Sequence, residues 1–267
     1  MLLFQLILLA LIQGLTEFLP ISSSGHLILL SELSEFKDQG LAIDIAVHVG
    51  TLCAVVLFFW ADFKLICSGT GRLVCGKVDT RGAFLALCLG IATVPIVIFG
   101  IILQATGWIY HVRSIAVIGW TMLIFGIFLY WADQTGNEER TAKQWRLIDA
   151  TIMGFWQAVA LIPGTSRSGI TISAARRLGY TRRDSAALAM LMSIPAILAS
   201  GVALSFELIK QNRGDVAVEV LLVAIFAFFA ALLSLGVMMR LLERFSYTPY
   251  VIYRVILGVA LLVYTYS

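Results

Sequence analysis

Charged residues are scarce in this sequence. Asp, Glu, Lys and Arg make up 13% of the 267 residues, whereas hydrophobic residues make up 60% and the mean hydropathy is +0.94. A soluble domain is roughly half apolar and a quarter charged, so the composition excludes an ordinary soluble protein and indicates an integral membrane protein. The net charge is only +3, and the basic residues lie in short loops between apolar runs. These features argue against nucleic acid as a partner.

Cysteine and histidine are also rare. The four cysteines occur in no metal-binding spacing; they are Cys53, Cys67, Cys75 and Cys88. Most of them fall in apolar runs or in a basic loop expected inside the cell, so we predict reduced thiols without a structural role. We interpret His48, in the first span, and His111, in an outer loop, as packing and surface residues. His26 is then the histidine that is a candidate for chemistry.

Long apolar runs predict six membrane spans. A span needs about 20 predominantly apolar residues, and such runs occupy residues 42–61, 83–105, 114–132, 185–206, 217–239 and 249–266. Residues 2–33 and 147–178 differ, because each holds two short apolar helices around a break rich in Pro, Ser and Gly. Since neither arm is long enough to cross alone, both segments are predicted to be re-entrant hairpins. The expected fold is an all-α integral membrane protein with a single domain, residues 1–267.

The two hairpins carry similar polar motifs. The first reads QGLTEFLPISSSGH from Gln13 to His26, and the second reads QAVALIPGTSRSGIT from Gln157 to Thr171. A shift of 144 residues aligns the two motifs. Each hairpin precedes three spans, which predicts repeat halves over residues 1–133 and 147–267. Because three is odd, the second half enters the membrane upside down, as in inverted-topology repeats, whose functional site lies near the midplane where the halves meet.

The distribution of Lys and Arg predicts the orientation. Thirteen basic residues collect on one side: Lys64, Arg72, Lys77, Arg81, Arg140, Lys143, Arg146, Arg176, Arg177, Arg182, Arg183, Arg240 and Arg244. Four collect on the other: Lys37, Arg113, Lys210 and Arg213. By the positive-inside rule the first side is cytoplasmic, so both termini and the mouth of the first hairpin face outward.

Four residues of the motifs are candidates for catalysis, namely Glu17, Ser23, His26 and Arg167. Polar groups at membrane depth are costly and persist mainly for function. The guanidinium of Arg167 is a planar fork of donors suited to phosphate, and its alternative partner is the carboxylate of Glu17. Under the repeat alignment Ser23 corresponds to Arg167, so the two residues are expected on opposite sides of one central pocket.

Further motif residues are candidates for binding phosphate, because hydroxyls and free backbone N–H groups at a helix N-terminus form an anion site. They are Gln13, Ser22, Ser24, Gly164, Thr165, Ser166, Ser168 and Thr171. Two other charged residues in or near the membrane, Asp149 and Arg254, have no evident chemical role. We interpret each of them as a structural partner of neighbouring groups.

These motifs resemble those of the undecaprenyl-diphosphate phosphatases, also called bacitracin-resistance phosphatases. The resemblance covers Glu/Gln-x-x-x-Glu from Gln13 to Glu17, Pro-x-Ser-Ser-x-Gly-His from Pro20 to His26, and Pro-Gly-x-Ser-Arg-Ser-x-x-Thr from Pro163 to Thr171. It implies a membrane enzyme that removes the terminal phosphate of a C55 polyprenyl diphosphate at the outer face of the cell membrane. Gln13 departs from the Glu found in many relatives, and we expect Glu17 to suffice.

The resemblance also implies a divalent cation, Mg²⁺ or Ca²⁺, with Glu17 as its ligand. Arg167 and the helix N-termini would hold the phosphates. Ser23 or His26 would attack phosphorus, or His26 would activate water, and the pairing of a Ser23 nucleophile with His26 as acid–base is the preferred scheme. The lipid diphosphate and the membrane are the expected partners, together with a second copy of the chain in a homodimer.

Two other functions are compatible with parts of the sequence. A secondary transporter or flippase for an anionic or lipid-phosphate substrate would also have inverted repeats and broken helices, but transport needs no nucleophile and base. A second lipid phosphatase class carries Ser-Gly-His and Ser-Arg motifs, echoed by Ser24 to His26 and by Ser166 with Arg167. That class also needs an Arg-Pro motif and a later catalytic His. This sequence contains no Arg-Pro pair, and no His follows Ser166.

Overall fold

The computed structural model describes residues 3–33, 41–108, 112, 114–211 and 217–267. These residues form α-helices and no strand, apart from one isolated bridge between Arg140 and Tyr180. In chain order the helices are α1 (Leu3–Glu17), α2 (Ser23–Leu33), α3 (Leu41–Phe58), α4 (Trp60–Val74), α5 (Arg81–Ala105), α6 (Ile115–Thr135), α7 (Leu147–Ala158), α8 (Arg167–Arg177), α9 (Arg182–Gln211), α10 (Ala217–Leu241) and α11 (Thr248–Tyr266). The outer-loop predictions for Lys37, His111, Arg113 and Arg213 concern residues outside the described ones, as does the side chain of Lys210.

The helices confirm the all-α membrane fold. In the described part of the chain, five helices are long and apolar enough to cross a bilayer, namely α5, α6, α9, α10 and α11. The bent pair of α3 and α4 makes a sixth candidate. Five of the six predicted apolar runs therefore each lie on one long helix, and the run 42–61 lies on α3 and the beginning of α4.

The prediction of a basic loop after the first span is wrong. The chain bends by 96° where α3 ends and α4 begins, so the basic segment expected as a loop is helical to Val74. Helix α4 packs against α5 through facing glycines, because a Cβ on Gly69 would lie 2.0 Å from the Gly82 carbonyl carbon. Charges such as Lys64 and Arg72 hide this helix from a search for long apolar runs.

Two pairs of short helices form the predicted hairpins. Hairpin 1 consists of α1 and α2, and hairpin 2 consists of α7 and α8. Their arms have 15, 11, 12 and 11 residues, which is too short to cross a bilayer. Helix α1 ends at Glu17, and Pro20 lies in the turn between the two arms of hairpin 1.

Each hairpin packs against the other half of the chain. Helix α1 contacts α10 from the second half, and α7 contacts α5 from the first half. Glycines allow both close approaches: a Cβ on Gly14 would lie 2.6 Å from the Ala227 carbonyl oxygen, and one on Gly154 would lie 2.7 Å from that of Ala92. This reciprocal packing is what an inverted repeat predicts, and it brings both hairpin tips to the interface between the halves. The boundaries at residues 133 and 147 stay a prediction.

Candidate active site

The two hairpin tips share an unusual backbone conformation. Ser22 and Ser166, which are equivalent in the repeat, have φ values of 73° and 71°, and among the described residues they alone combine a positive φ with a side chain. Such a conformation costs of order 1–3 kcal/mol and persists only where surrounding structure enforces it. The Oγ atom of each serine accepts a hydrogen bond from a glycine N–H three residues later, at 3.4 Å from Gly25 and 3.1 Å from Gly169. Both tips thus start a helix with the same strained cap.

The repeated cap explains why each motif needs several serines. Ser22 Oγ lies 3.4 Å from Ser24 Oγ, and Ser166 Oγ lies 3.1 Å from Ser168 Oγ. Between each pair comes the first residue of a helix, which is Ser23 in hairpin 1 and Arg167 in hairpin 2. The same backbone therefore presents a hydroxyl from one tip and a guanidinium from the other.

Glu17 joins the two tips. Its Oε1 accepts a hydrogen bond from Arg167 Nη2 in an ion pair that is largely shielded, with 6% of the Glu17 side chain and 18% of the Arg167 side chain exposed. Its Oε2 accepts hydrogen bonds from Ser23 Oγ and from Gln13 Nε2, both at 2.7 Å. The structure brings together Gln13, Glu17, Ser23 and Arg167. The repeat alignment predicts this for Ser23 and Arg167 alone, which contact the two oxygens of Glu17. Arg167 is paired with Glu17, the alternative partner to phosphate expected from the sequence.

His26 faces away from Ser23. Its Nδ1 lies 2.6 Å from the Ser22 carbonyl oxygen and therefore carries the proton, which leaves Nε2 of the neutral ring to accept from the Tyr253 hydroxyl at 2.5 Å. The two rings stack with their centroids 5.6 Å apart. The described partner of the Ser23 hydroxyl is Glu17, so the preferred scheme of a Ser23–His26 pair differs from the structure. The Ser22 carbonyl fixes the imidazole and turns it toward α11.

Most candidate phosphate-binding hydroxyls of hairpin 2 are committed to backbone groups. Ser168 Oγ donates to the Leu19 carbonyl at 2.9 Å, and Thr171 Oγ1 donates to the Arg167 carbonyl at 2.7 Å. Thr165 Oγ1 is buried and has no hydrogen-bond partner among the described residues. These hydroxyls stabilise the backbone of the hairpin tip. Fewer of them are free to bind phosphate than the sequence motif predicts.

Few of the described side chains around Glu17 could serve as ligands of a divalent cation. The described residues contain no group of three or more His, Cys, Asp or Glu side chains arranged to hold a metal. Glu17 is the carboxylate of the cluster, and beside it Gln13 Oε1 is buried without a hydrogen-bond partner in the described structure. Mg²⁺ commonly binds one or two carboxylates together with substrate phosphates. Glu17 and Gln13 would therefore suit a cation only where further oxygen ligands, such as those of a phosphate, completed its coordination.

Three residues near the tips were not predicted as site residues. Tyr253 holds His26, and Arg254 donates to carbonyls of both tips. His48 Nδ1 contacts the Asp44 carbonyl at 2.7 Å, while its Nε2 lies 3.4 Å from Gln13 Nε2. The signal available for Arg254 was a charge inside an apolar span. Tyr253 and His48 carry no such signal, because tyrosine and histidine also serve in packing.

Asp149 is confirmed as a structural partner. Its fully buried carboxylate forms ion pairs with Arg140 and Arg146 at the start of α7. It also accepts a hydrogen bond of 2.8 Å from the Tyr180 hydroxyl. The cluster ties hairpin 2 to the turn between α8 and α9, away from Glu17 and Arg167.

Comparison with known proteins finds one family model and several full-length relatives that match this chain. The family model of the bacitracin resistance protein BacA matches residues 6–260. A protein of Dinoroseobacter shibae named undecaprenyl-diphosphatase is 63% identical over 267 residues, covering all of both chains. A protein of Roseobacter denitrificans with the same name is 61% identical over the same full length. One of Alcanivorax borkumensis, again with that name, is 45% identical over 264 residues and 97% of both chains.

Proposed function

Since the chain belongs to the BacA bacitracin resistance family, we propose that it is an undecaprenyl-diphosphatase, which hydrolyses undecaprenyl diphosphate to undecaprenyl phosphate and inorganic phosphate. This reaction returns the lipid carrier to cell-wall synthesis. The observation that carries the proposal is the contact of the Ser23 hydroxyl with Glu17, whose other oxygen is paired with Arg167. The transporter alternative is not favoured, because moving a substrate requires no such set of nucleophile, base and guanidinium.

Glu17 is the proposed base for Ser23. The hydroxyl already donates to Glu17 Oε2 at 2.7 Å, which is within reach for proton transfer. As Ser23 Oγ attacks the terminal phosphorus, its proton moves to Glu17, and the bond to the bridging oxygen breaks. Undecaprenyl phosphate then leaves as the phosphate on Ser23 is formed. In a second step water attacks the phosphorus of this intermediate and the bond to Ser23 Oγ breaks. Inorganic phosphate leaves, and Ser23 recovers its proton from Glu17.

Arg167 is the proposed phosphate clamp. It lies at the N-terminus of α8, where backbone N–H groups and the helix dipole also favour an anion. On substrate binding the guanidinium moves from Glu17 to the phosphate, which frees the carboxylate to act as a base. In the transition state the clamp offsets the negative charge that spreads over the phosphoryl oxygens.

A divalent cation, Mg²⁺ or Ca²⁺, completes the proposal. Glu17 and Gln13 Oε1 are the groups that would hold it, in line with the preference of hard cations for oxygen. When bound, the cation neutralises phosphate charge. His26 remains a proposed acid–base residue that acts from the side of Tyr253. Ser22, Ser24 and Ser166 serve mainly to shape the tips.

The chain is a multi-pass membrane protein, and we place it in the inner membrane with the active site open to the periplasmic side. The excess of basic residues on the opposite side supports this orientation. A homodimer stays a prediction, which native mass spectrometry of the purified protein in detergent would check.

The decisive experiment measures phosphate release from C55 diphosphate by the purified protein in detergent, where no membrane gradient exists. We expect turnover, loss of turnover with a chelator, and recovery on adding Mg²⁺ or Ca²⁺. A transporter would release no phosphate. Unchanged turnover with the chelator would overturn the cation and leave the hydrolase standing.

A further inference from the structure

Arg254 on α11 is fully buried, with 0% of its surface exposed. The structure records no carboxylate contact for it among the described residues. Its donors go to backbone carbonyl oxygens instead, those of Pro20 at 3.2 Å, Gly164 at 3.0 Å, Thr165 at 2.9 Å, Met122 at 3.3 Å and Thr121 at 3.4 Å. A buried cation held by neutral groups alone is expensive, so its place in the fold calls for a role.

The carbonyls that Arg254 binds belong to both hairpin tips. Pro20 and Gly164 are equivalent under the shift of 144 residues. Nη1 donates to the carbonyl of Pro20, while Nη2 donates to that of Gly164. One rigid guanidinium therefore bridges matching points of the two halves. A lysine ammonium is a compact point charge on a flexible stem and lacks this fixed fork.

Two other links between the tips are the single hydrogen bond from Ser168 Oγ to the Leu19 carbonyl and the ion pair of Glu17 with Arg167. The ion pair of Glu17 with Arg167 must open for Arg167 to hold phosphate, if the proposed function is correct. The bonds of Arg254 involve no group that the proposed reaction uses. Arg254 also lies against the first turn of α8, because a Cβ on Gly169 would come within 2.9 Å of its Nη1.

We propose that Arg254 is a positioning residue, which keeps the two hairpin tips in register while Arg167 moves from Glu17 to the substrate phosphate. The expected effect of Arg254 on catalysis rests on the proposed function. Its role in holding the two tips in register does not. Loss of the fork lets the tips drift, which separates Ser23 from the phosphate held by Arg167. A displacement of about 1 Å is enough to cost roughly 100-fold in rate.

The first test compares Arg254→Lys with a matched variant, Arg176→Lys. Arg176 is also fully buried and binds carbonyls, but it pairs with Asp133 and Glu138 at the far end of α8. We expect Arg254→Lys to lower kcat about 100-fold with KM changed less than about threefold. Arg176→Lys should lower the melting temperature and leave kcat near wild type. Equal kcat in both variants, or a loss in KM alone, would overturn the proposal.

A second pair of variants covers the case in which Arg254→Lys does not fold. Gly126 and Gly119 both face α11 from α6. A Cβ on Gly126 would lie 3.2 Å from Arg254 Cβ, whereas one on Gly119 would lie 2.9 Å from Leu262 Cδ2. Gly126→Ala shifts the stem of Arg254, so it should lower kcat and not KM. Gly119→Ala disturbs the same helix pair without touching Arg254, and a matching kcat defect there would count against the inference.

A distance measurement separates this inference from the proposed function. Spin labels at Leu15 and Phe155, which are exposed on the first arms of the two hairpins, report the spacing of the hairpins without any substrate. The exposed cysteines Cys53, Cys67 and Cys75 are first replaced by serine. The distance distribution should broaden in Arg254→Lys and stay narrow in Arg176→Lys. A narrow distribution in both would refute the positioning role even if the protein proves to be an active hydrolase.

Discussion

The two hairpins have the same tip backbone but differ in burial. In hairpin 2 nearly all of α8 from Ser168 to Arg176 is buried, and this arm packs on α6, α7 and α9. In hairpin 1 the second arm, α2, packs on α1 and only lightly on α6. Ser24 is exposed there, and Ser23 and His26 are half-buried. Hairpin 2 thus holds the guanidinium of Arg167 at the start of a buried helix. Hairpin 1 presents the Ser23 hydroxyl and the His26 imidazole, which are partly exposed.

This difference teaches how one repeated motif acquired two tasks. The strained serines and their glycine partners are common to both tips, so the geometry of the helix start was retained. The residue that begins each second arm changed, giving Ser23 in one copy and Arg167 in the other. A symmetric pocket with two hydroxyls or two cations would lack either the clamp or the nucleophile.

The largest effect is expected from removing the guanidinium of Arg167 in hairpin 2. Arg167→Ala should lower kcat about 10³–10⁵-fold, as for other guanidinium clamps on phosphoryl groups. Arg167→Lys should recover only part of the loss, because a point charge cannot replace the planar fork. Phosphate release from C55 diphosphate measures both. Hydrolysis by Arg167→Ala at near wild-type rates would remove its assigned role.

Hairpin 1 is tested by Ser23→Ala and His26→Ala, each expected to cost about 10²–10⁴-fold in rate. A phosphorylated intermediate, trapped with substrate radiolabelled in the terminal phosphate and acid quenching, should disappear in Ser23→Ala and persist in His26→Ala. The opposite pattern would make His26 the nucleophile. If wild type and both variants gave no trapped species, direct attack by water would replace the covalent route.

The equivalent glycines of the two tips give a sharper comparison with a smaller effect. A Cβ on Gly169 would lie 2.9 Å from Arg254 Nη1, whereas the atoms nearest to a Cβ on Gly25 would be Ile118 Cγ2 at 3.3 Å and Ser22 Oγ at 3.4 Å. Gly169→Ala should therefore lower kcat roughly tenfold. Gly25→Ala should stay within about threefold of wild type. Equal defects in the two variants would mean that the tips are supported alike.

The smallest effect is expected for the hydroxyl beside His26. Tyr253→Phe removes one hydrogen bond, which is worth about 0.5–1.5 kcal/mol, so kcat/KM should fall roughly two- to tenfold. Tyr264→Phe is a matched control on the same helix, since Tyr264 is exposed on α11. Identical kinetics for the two variants would mean that Tyr253 does not act on His26.

The sequence predicts the long spans and both hairpins because length and hydropathy decide whether a helix crosses a bilayer. The repeat also predicts that Ser23 and Arg167 lie at one pocket, since two copies related by a pseudo-two-fold axis place equivalent residues on its opposite sides. It does not predict the position of Glu17, whose counterpart in the second half is Leu161. It does not predict α4, whose charges break the apolar pattern. The partner of His26 depends on the rotation of the imidazole relative to α11. The role of Arg254 depends on backbone carbonyls, which no side-chain pattern reveals.

The packing of each hairpin against the other half of the chain has a consequence for biogenesis. Translation completes α1 at Glu17 long before it reaches α10, which begins at Ala217 and supplies the surface on which Gly14 docks. At about 5–20 residues per second, hairpin 1 waits on the order of 10–40 s for that surface. During this interval a short, half-inserted segment is held without its permanent neighbour. The nascent chain therefore depends on the insertion machinery or on lipid to shelter it until the C-terminal half emerges.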